Sequence, residues 1–277
     1  MDKIQVKGLK VFAHHGVYPE ESAQGQDFLV DVCLHTDTRP AGKEDDLEQS
    51  VDYGELSLFI DRYMKMNTYK LLESVTENLA REILLRYQKA VSVEISVSKP
   101  YAPIPLPFEN VSVSIERSWH EAYIGFGSNV GDKEEYIRKG LETLENESDI
   151  FILRTSAMIE TEFYGRDEME PVLNGVVKIK TLLTPYELLD VCNRIEAEAK
   201  RDRTVHWGPR TLDLDILFYD KLILEDEELT IPHIDMKNRD FVLKPMAEIA
   251  PGLVHPVYRK TITDLLKELE EGNYKEG

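Results

Sequence analysis

His206-Trp207-Gly208-Pro209-Arg210-Thr211-Leu212-Asp213-Leu214-Asp215-Ile216-Leu217-Phe218 changes character half-way along. From Leu212 onward apolar and acidic residues alternate. A period of two is that of a β-strand, whose side chains point to opposite faces in turn. The pattern predicts Leu212, Leu214 and Ile216 in a core, with Asp213 and Asp215 on the other face. Two carboxylates at i and i+2 stand roughly 6.6 Å apart on a strand rising about 3.3 Å per residue. At an effective dielectric of ~20 they repel by about 2.5 kcal/mol, a cost that a divalent cation removes. Hard oxygen donors suit Mg²⁺, which takes one or two carboxylates and fills its shell with water and substrate phosphates. An ordinary amphipathic strand with a wet acidic face would satisfy the same pattern.

The residues just before the strand shift that balance. Residues 200–210 hold Lys200, Arg201, Arg203 and Arg210 against Asp202 alone, a local charge of +3 within a chain of net charge -19. A basic loop beside a carboxylate pair is what phosphoryl transfer needs, because a metal and bidentate arginines share the phosphate charge. His233 and Arg239 are further candidates. The chain carries neither a glycine-lysine phosphate loop nor the protein-kinase motifs.

The 277 residues predict about two domains. The net charge of -19 argues against nucleic acid and anionic membranes as partners, since phosphate neutralisation needs a basic face. Cys33 and Cys192 lie far apart and outside any Cys-x-x-Cys pair, so they suggest neither a disulfide framework nor a zinc site, only buried small side chains. Met1–Lys7 has no apolar run of the signal-peptide kind, and no stretch reaches 18 apolar residues, so a cytoplasmic protein is expected.

In order, the patterns predict strands at 3–13 and 28–34, with a polar loop over 14–25 between them. A charged loop follows, then helices near 55–65 and 70–88, and strands at 91–99 and 111–115 around a proline-rich loop. Ser118-Trp119-His120 is the expected joint. Beyond it come strands at 123–126, 150–159 and 172–180, with helices capped at Asp132 and Thr184. A short strand near 222–224, a helical turn near 235–240 and a helix near 263–271 complete the pattern. The expected class is α+β, an antiparallel-sheet unit at 1–118 followed by a second α+β unit at 119–277.

Arg203 to Ile216, with Gly127-Ser128-Asn129 upstream and Pro232-His233-x3-Lys237-Asn238-Arg239 downstream, resembles the 6-hydroxymethyl-7,8-dihydropterin pyrophosphokinases. The resemblance covers about residues 122–258 and implies a ferredoxin-like fold and pyrophosphoryl transfer from ATP to the pterin hydroxymethyl, releasing AMP. It implies two Mg²⁺ ions on Asp213 and Asp215, and Arg201, Arg203 and Arg210 on the phosphates. It places His233, Arg239, Glu196, Trp207 and Ile216 with the nucleotide. Thr161 and Asn174 would hydrogen-bond the pterin and Phe241 would stack on it. The usual proline is missing from Thr161-Glu162-Phe163-Tyr164-Gly165, Val172 replaces an aromatic, and Lys200 a glycine. Tyr164 is the candidate for the missing stacking face.

The first half resembles the dihydroneopterin aldolases, with a tunnelling-fold-like sheet, over about residues 2–118. The matching stretches are His15-Gly16 with Glu21 and Gly25-Gln26, Val51-Asp52-Tyr53-Gly54-Glu55, Leu71-Leu72-Glu73, and Lys99-Pro100 with Pro103 and Pro105. The resemblance implies Lys99 as general acid/base, Tyr53 assisting, Glu21 ordering the side chain or a water, and Glu73 anchoring the pterin, with Leu72 and Val51 beside it. It implies no cofactor for this step and a homo-oligomer with sites between subunits. The competing reading makes the first half an inert oligomerisation scaffold for a lone pyrophosphokinase; the intact Lys99, Glu73 and Tyr53 set argues against it.

Overall fold

A computed structural model describes residues 1–162, 170–199 and 211–276. The chain divides into two compact units, Met1–Trp119 and His120–Gly277.

The first unit runs β1 (Asp2–Ala13), α1 (Pro19–Gln24), β2 (Gln26–Thr36), α2 (Arg39–Glu44), α3 (Tyr53–Met66), α4 (Leu72–Arg86), β3 (Ser92–Ser98) and β4 (Ser112–Ser118). The strands form one antiparallel sheet in the order β1-β2-β3-β4. A shift of register between Val6 and Leu9 is turned by Gly8, whose φ of 66° suits glycine. Asp52 caps α3 by accepting the Gly54 and Glu55 N–H groups at 2.8 and 3.0 Å. One sheet face buries Phe28, Val30, Val32, Leu34, Val93 and Val97, and α3 and α4 bury Leu56, Ile60, Leu79 and Ile83. Each such side chain contributes about 2 kcal/mol of transfer free energy. The alternate residues of β2 and β3, among them Asp31, Cys33, His35 and Glu94, point to the opposite, polar face.

The second unit runs β5 (His120–Ser128), α5 (Lys133–Glu145), β6 (Ile150–Thr155), β7 (Ile159–Thr161), β8 (Val172–Thr181), α6 (Pro185–Glu198), β9 (Asp213–Tyr219), β10 (Leu224–Glu225), β11 (Thr230–Ile231), α7 (Asp240–Ile249) and α8 (Ile262–Glu276). Its main sheet has the order β6-β8-β5-β9, with β7 also on β8 and all pairs antiparallel. A β-α-β-β-α-β path with that order is the ferredoxin-like arrangement. Ile124 and Phe126, Val177 and Ile179, and Leu214 and Ile216 pack with Ile137 of α5 and Leu188, Cys192 and Ile195 of α6. Tyr123, Val176, Leu217 and Phe218 pack on the other face with Val242, Leu243 and Met246 of α7 and Ile262 and Leu265 of α8.

Four expectations change. The polar loop at 14–25 contains α1, and the charged loop contains α2; each has six residues, too few for a helical period to show. The strand expected over 150–159 breaks at 156–158. There Ser156 Oγ accepts the Val176 N–H at 2.9 Å, so the ladder group is satisfied without strand geometry. The turn expected near 235–240 is followed by α7, a helix with Pro245 inside it. Burial of Val242, Leu243, Met246 and Ile249 outweighs the missing donor.

Candidate functional site

In the first unit the structure brings together Lys99, just past β3, and Glu21 of α1. The ammonium donates to Glu21 Oε1, and the pair is almost wholly buried, with side chains 11% and 8% exposed. Glu21 Oε2 also accepts the Tyr18 N–H at 3.1 Å. Burial raises the Glu21 pKa, but Lys99 and the backbone donors outweigh it and leave the carboxyl below its usual range. Gly16 is required here, since a Cβ would fall 2.6 Å from Glu21 Cβ. Among the described residues Glu21 is the only side-chain partner of Lys99.

His15 is 1% exposed and edge-on to Phe28, with ring centroids 5.2 Å apart. Its Nδ1 accepts the Tyr69 N–H at 3.2 Å, so its proton sits on Nε2. Burial first, then the charges of Lys99 and His14, push its pKa down to about 4. Between that value and the unfolded value near 6.5, the unfolded chain binds a proton that the folded chain refuses. Stability is therefore complete above about pH 6.5 and is lost as pH falls toward about 4, by about 3 kcal/mol in all. In His15→Gln, the fall in melting temperature between pH 7 and pH 4.5 should be smaller than in the parent. Equal slopes for the two proteins would show that His15 does not control it.

Tyr53 and Glu73 stand exposed in the first turns of α3 and α4. Leu72 is half-buried, and the Val51 side chain is in the core, leaving its backbone for any ligand.

In the second unit a transverse row crosses the sheet. Asn174 of β8 is opposite Gly127 of β5, and Gly127 is opposite Asp213 of β9. Gly125 is likewise opposite Asp215. Strands about 4.8 Å apart put the two ends of the first row about 10 Å from each other. A Cβ at Gly127 would come within 3.1 Å of Asn174 Oδ1. Gly127 thus keeps a trough open between the amide and Asp213, a signal that the linear pattern did not single out as spatial. Asn174 Nδ2 donates to Thr161 Oγ1 at 2.8 Å, which fixes the amide with its oxygen toward the trough. Asp213 and Asp215 are half-buried on this same face, while Leu214 and Ile216 are in the opposite core, as the alternation predicts. The Ile216 side chain is therefore unavailable, and only its backbone can meet a nucleotide.

His233, Arg239 and Phe241 come from the turn into α7. His233 Nδ1 accepts the Asp235 N–H at 3.3 Å. Arg239 Nε donates to Asp235 Oδ2 at 3.0 Å, and its guanidinium lies 5.8 Å from the Phe241 ring centroid. Burial and then Arg239 lower the His233 pKa, with Asp235 and Asp213 acting in the opposite sense, so the imidazole shares the electrostatic neighbourhood of Asp213. Glu196 of α6 is 2% exposed and accepts the Leu214 N–H at 2.8 Å, holding the strand that carries both aspartates. The donor set of two aspartates on one strand face, all hard oxygen, fits Mg²⁺. Tyr164, Lys200, Arg201, Arg203, Trp207 and Arg210 lie outside the described residues.

The first unit matches the family model described as dihydroneopterin aldolase over residues 4–116. The second matches the model described as 7,8-dihydro-6-hydroxymethylpterin-pyrophosphokinase over residues 123–251. The 2-amino-4-hydroxy-6-hydroxymethyldihydropteridine pyrophosphokinase of Haemophilus influenzae is 42% identical over 150 residues, which are 54% of this chain and 93% of that protein. The folic acid synthesis protein fol1 of Schizosaccharomyces pombe is 30% identical over 286 residues, 97% of this chain but 37% of that protein. The chain thus spans well under half the length of that relative. The solved Escherichia coli dihydroneopterin aldolase in complex with neopterin has 31% identity, with 43% of this chain and 100% of that chain covered, at a TM-score of 0.39. The chain belongs to the hydroxymethylpterin pyrophosphokinase family through its second unit, and its first unit matches the dihydroneopterin aldolase family model.

Proposed function

We propose that the chain catalyses two consecutive steps of folate synthesis. In the first domain, 1–118, 7,8-dihydroneopterin is cleaved to 6-hydroxymethyl-7,8-dihydropterin and glycolaldehyde. In the second, 119–277, a pyrophosphoryl group passes from ATP to that alcohol and AMP leaves. The observation that carries this reading is the presence of both domains in one chain, since the product of one is the substrate of the other.

Retro-aldol cleavage needs a base for the side-chain hydroxyl, an electron sink, and an acid for the carbanion left on the pterin side chain. The pterin ring is the sink, so the protein supplies only proton transfer and position. Lys99 in its neutral amine form takes the hydroxyl proton through a water, becomes the ammonium that Glu21 holds, and returns that proton to the carbanion. Glu73 accepts two parallel N–H bonds from the guanidine-like edge of the pterin. The Val51 backbone and Leu72 line the same pocket. Tyr53, 64% exposed at the start of α3, serves a site completed by a second copy. The open edges of β1 and β4 support such a homo-oligomer.

In the second domain Thr161 and Asn174 hydrogen-bond the pterin, and Phe241 and Tyr164 stack on it. Arg201, Arg203, Arg210, His233 and Arg239 take the phosphates, with Trp207 and the Ile216 backbone at the nucleotide. Glu196 acts through β9. Asp213 and Asp215 would hold two Mg²⁺ ions, which would supply charge neutralisation for the phosphates. Pterins and ATP as diffusible substrates go with a cytoplasmic setting. Among the described residues no helix is long and apolar enough to cross a membrane.

The test is one reaction containing 7,8-dihydroneopterin, ATP and Mg²⁺. Glycolaldehyde and AMP should appear in equal final amounts, and omitting Mg²⁺ should stop only AMP. AMP from added pterin alcohol without glycolaldehyde from dihydroneopterin would reduce the first domain to a scaffold.

A further inference from the structure

We propose that Cys33, His35 and Glu94 form a binding site for a thiophilic divalent cation, Zn²⁺ in kind, on the polar face of the first unit's sheet. Cys33 and His35 are two residues apart on β2 and share that face, and Glu94 of β3 stands opposite Cys33 in the ladder. The sulfur, an imidazole nitrogen and a carboxylate oxygen all lie within 4.8 Å of one another. Tetrahedral Zn²⁺ holds sulfur at about 2.3 Å and nitrogen or oxygen at about 2.0–2.2 Å, so its donors sit roughly 3.3–3.6 Å apart. The His35 Nε2 to Glu94 Oε1 hydrogen bond of 2.6 Å must open by less than about 1 Å for an ion to enter. Glu94 can make that movement, because its side chain is 45% exposed and its other contact is the exposed Lys3.

A second observation lies at the same place. The cluster borders a groove of 440 Å³ lined by Gln5, Lys7, Asp31, Cys33, Glu94 and Ser96, which gives a fourth coordination position access to water. Gln5 Nε2 already donates to the Cys33 sulfur at 3.3 Å, the second-sphere contact that steadies a thiolate ligand. An ion pair among Lys3, His35 and Glu94 accounts for the carboxylate and the imidazole. It does not account for a thiol placed within the same sphere of donors. A thiolate and a carboxylate together neutralise one divalent cation. The softness of the thiolate separates this site from the all-oxygen aspartate pair of the second unit. Two cysteines far apart in sequence carry no zinc motif; the third donor comes from a neighbouring strand, so only strand register reveals the set.

The test is titration of the metal-free full chain with Co²⁺, read by ultraviolet and visible absorption. A thiolate-to-cobalt charge-transfer band should saturate at one ion per chain. Ions held by Asp213 and Asp215 contribute nothing to that band, having oxygen donors alone. Cys33→Ala should abolish it, and Glu94→Gln and His35→Gln should each weaken apparent affinity by at least about tenfold. Zn²⁺ should displace Co²⁺ and bleach the band. Absence of the band at saturating Co²⁺, its survival in Cys33→Ala, or unchanged affinity in Glu94→Gln would each overturn the site. Glu94→Gln alters a half-exposed side chain, so folding does not confound that arm.

Discussion

Replacing Lys99 by alanine should lower glycolaldehyde release by at least about a thousandfold, the scale of general acid–base catalysis. AMP formation from added 6-hydroxymethyl-7,8-dihydropterin should stay at the parental rate. The asymmetry follows from where Lys99 stands. It is 8% exposed, in the first unit, and its one side-chain partner among the described residues is Glu21. Removing the ammonium leaves the Glu21 carboxylate buried against only backbone donors, which costs stability as well as chemistry. Lys99→Met keeps the aliphatic stem and separates the two effects. It too should lose glycolaldehyde release, and Glu21→Gln restores a neutral pocket without restoring turnover. Parental aldolase activity in both Lys99 variants would remove Lys99 from the reaction. A loss of AMP formation matching the loss of glycolaldehyde would mean instead that the variants had unfolded the chain.

The Lys99–Glu21 pair also marks where sequence reasoning stops. Its members are 78 residues apart, and nothing in either local pattern joins them; the antiparallel return of β2 and β3 does. Resemblance singled out both residues, and their contact is a product of topology. Signals that act within one turn were legible. Thr184 and Glu187 exchange the bonds of a capping box at the start of α6, and Asp132 accepts the Glu135 N–H at α5. The β9 alternation sorted Leu214 and Ile216 from Asp213 and Asp215, because a single apolar face at this end of the strand fixes which parity points into the core. Helix α7 was hidden by Pro245, a local helix breaker whose penalty tertiary burial outweighs. Gly127 was hidden for the opposite reason. A missing side chain leaves no periodic mark, and its value appears only when Asn174 and Asp213 are seen on either side.

Asp213→Asn should lower AMP formation by more than about a hundredfold while changing the melting temperature little. The substitution keeps shape and removes one charge. Asp213 is half-buried on the trough face, and the neighbouring core positions Leu212 and Leu214 are untouched. At an effective dielectric of ~20 the Asp213–Asp215 repulsion is about 2.5 kcal/mol, so the metal-free variant should be no less stable than the parent. A single-strand metal site that loses one of two carboxylates gives up several kcal/mol of transition-state charge stabilisation, at 1.36 kcal/mol per tenfold in rate. Mg²⁺ should raise the melting temperature of the parent in the presence of a non-hydrolysable ATP analogue, and should do so much less in Asp213→Asn. Glycolaldehyde release is the internal control and should be unaffected. A large drop in melting temperature with AMP formation retained would make Asp213 a structural residue and return β9 to an ordinary amphipathic strand. Retained Mg²⁺-linked stabilisation with lost turnover would instead move metal binding away from Asp213 and leave it with the phosphates.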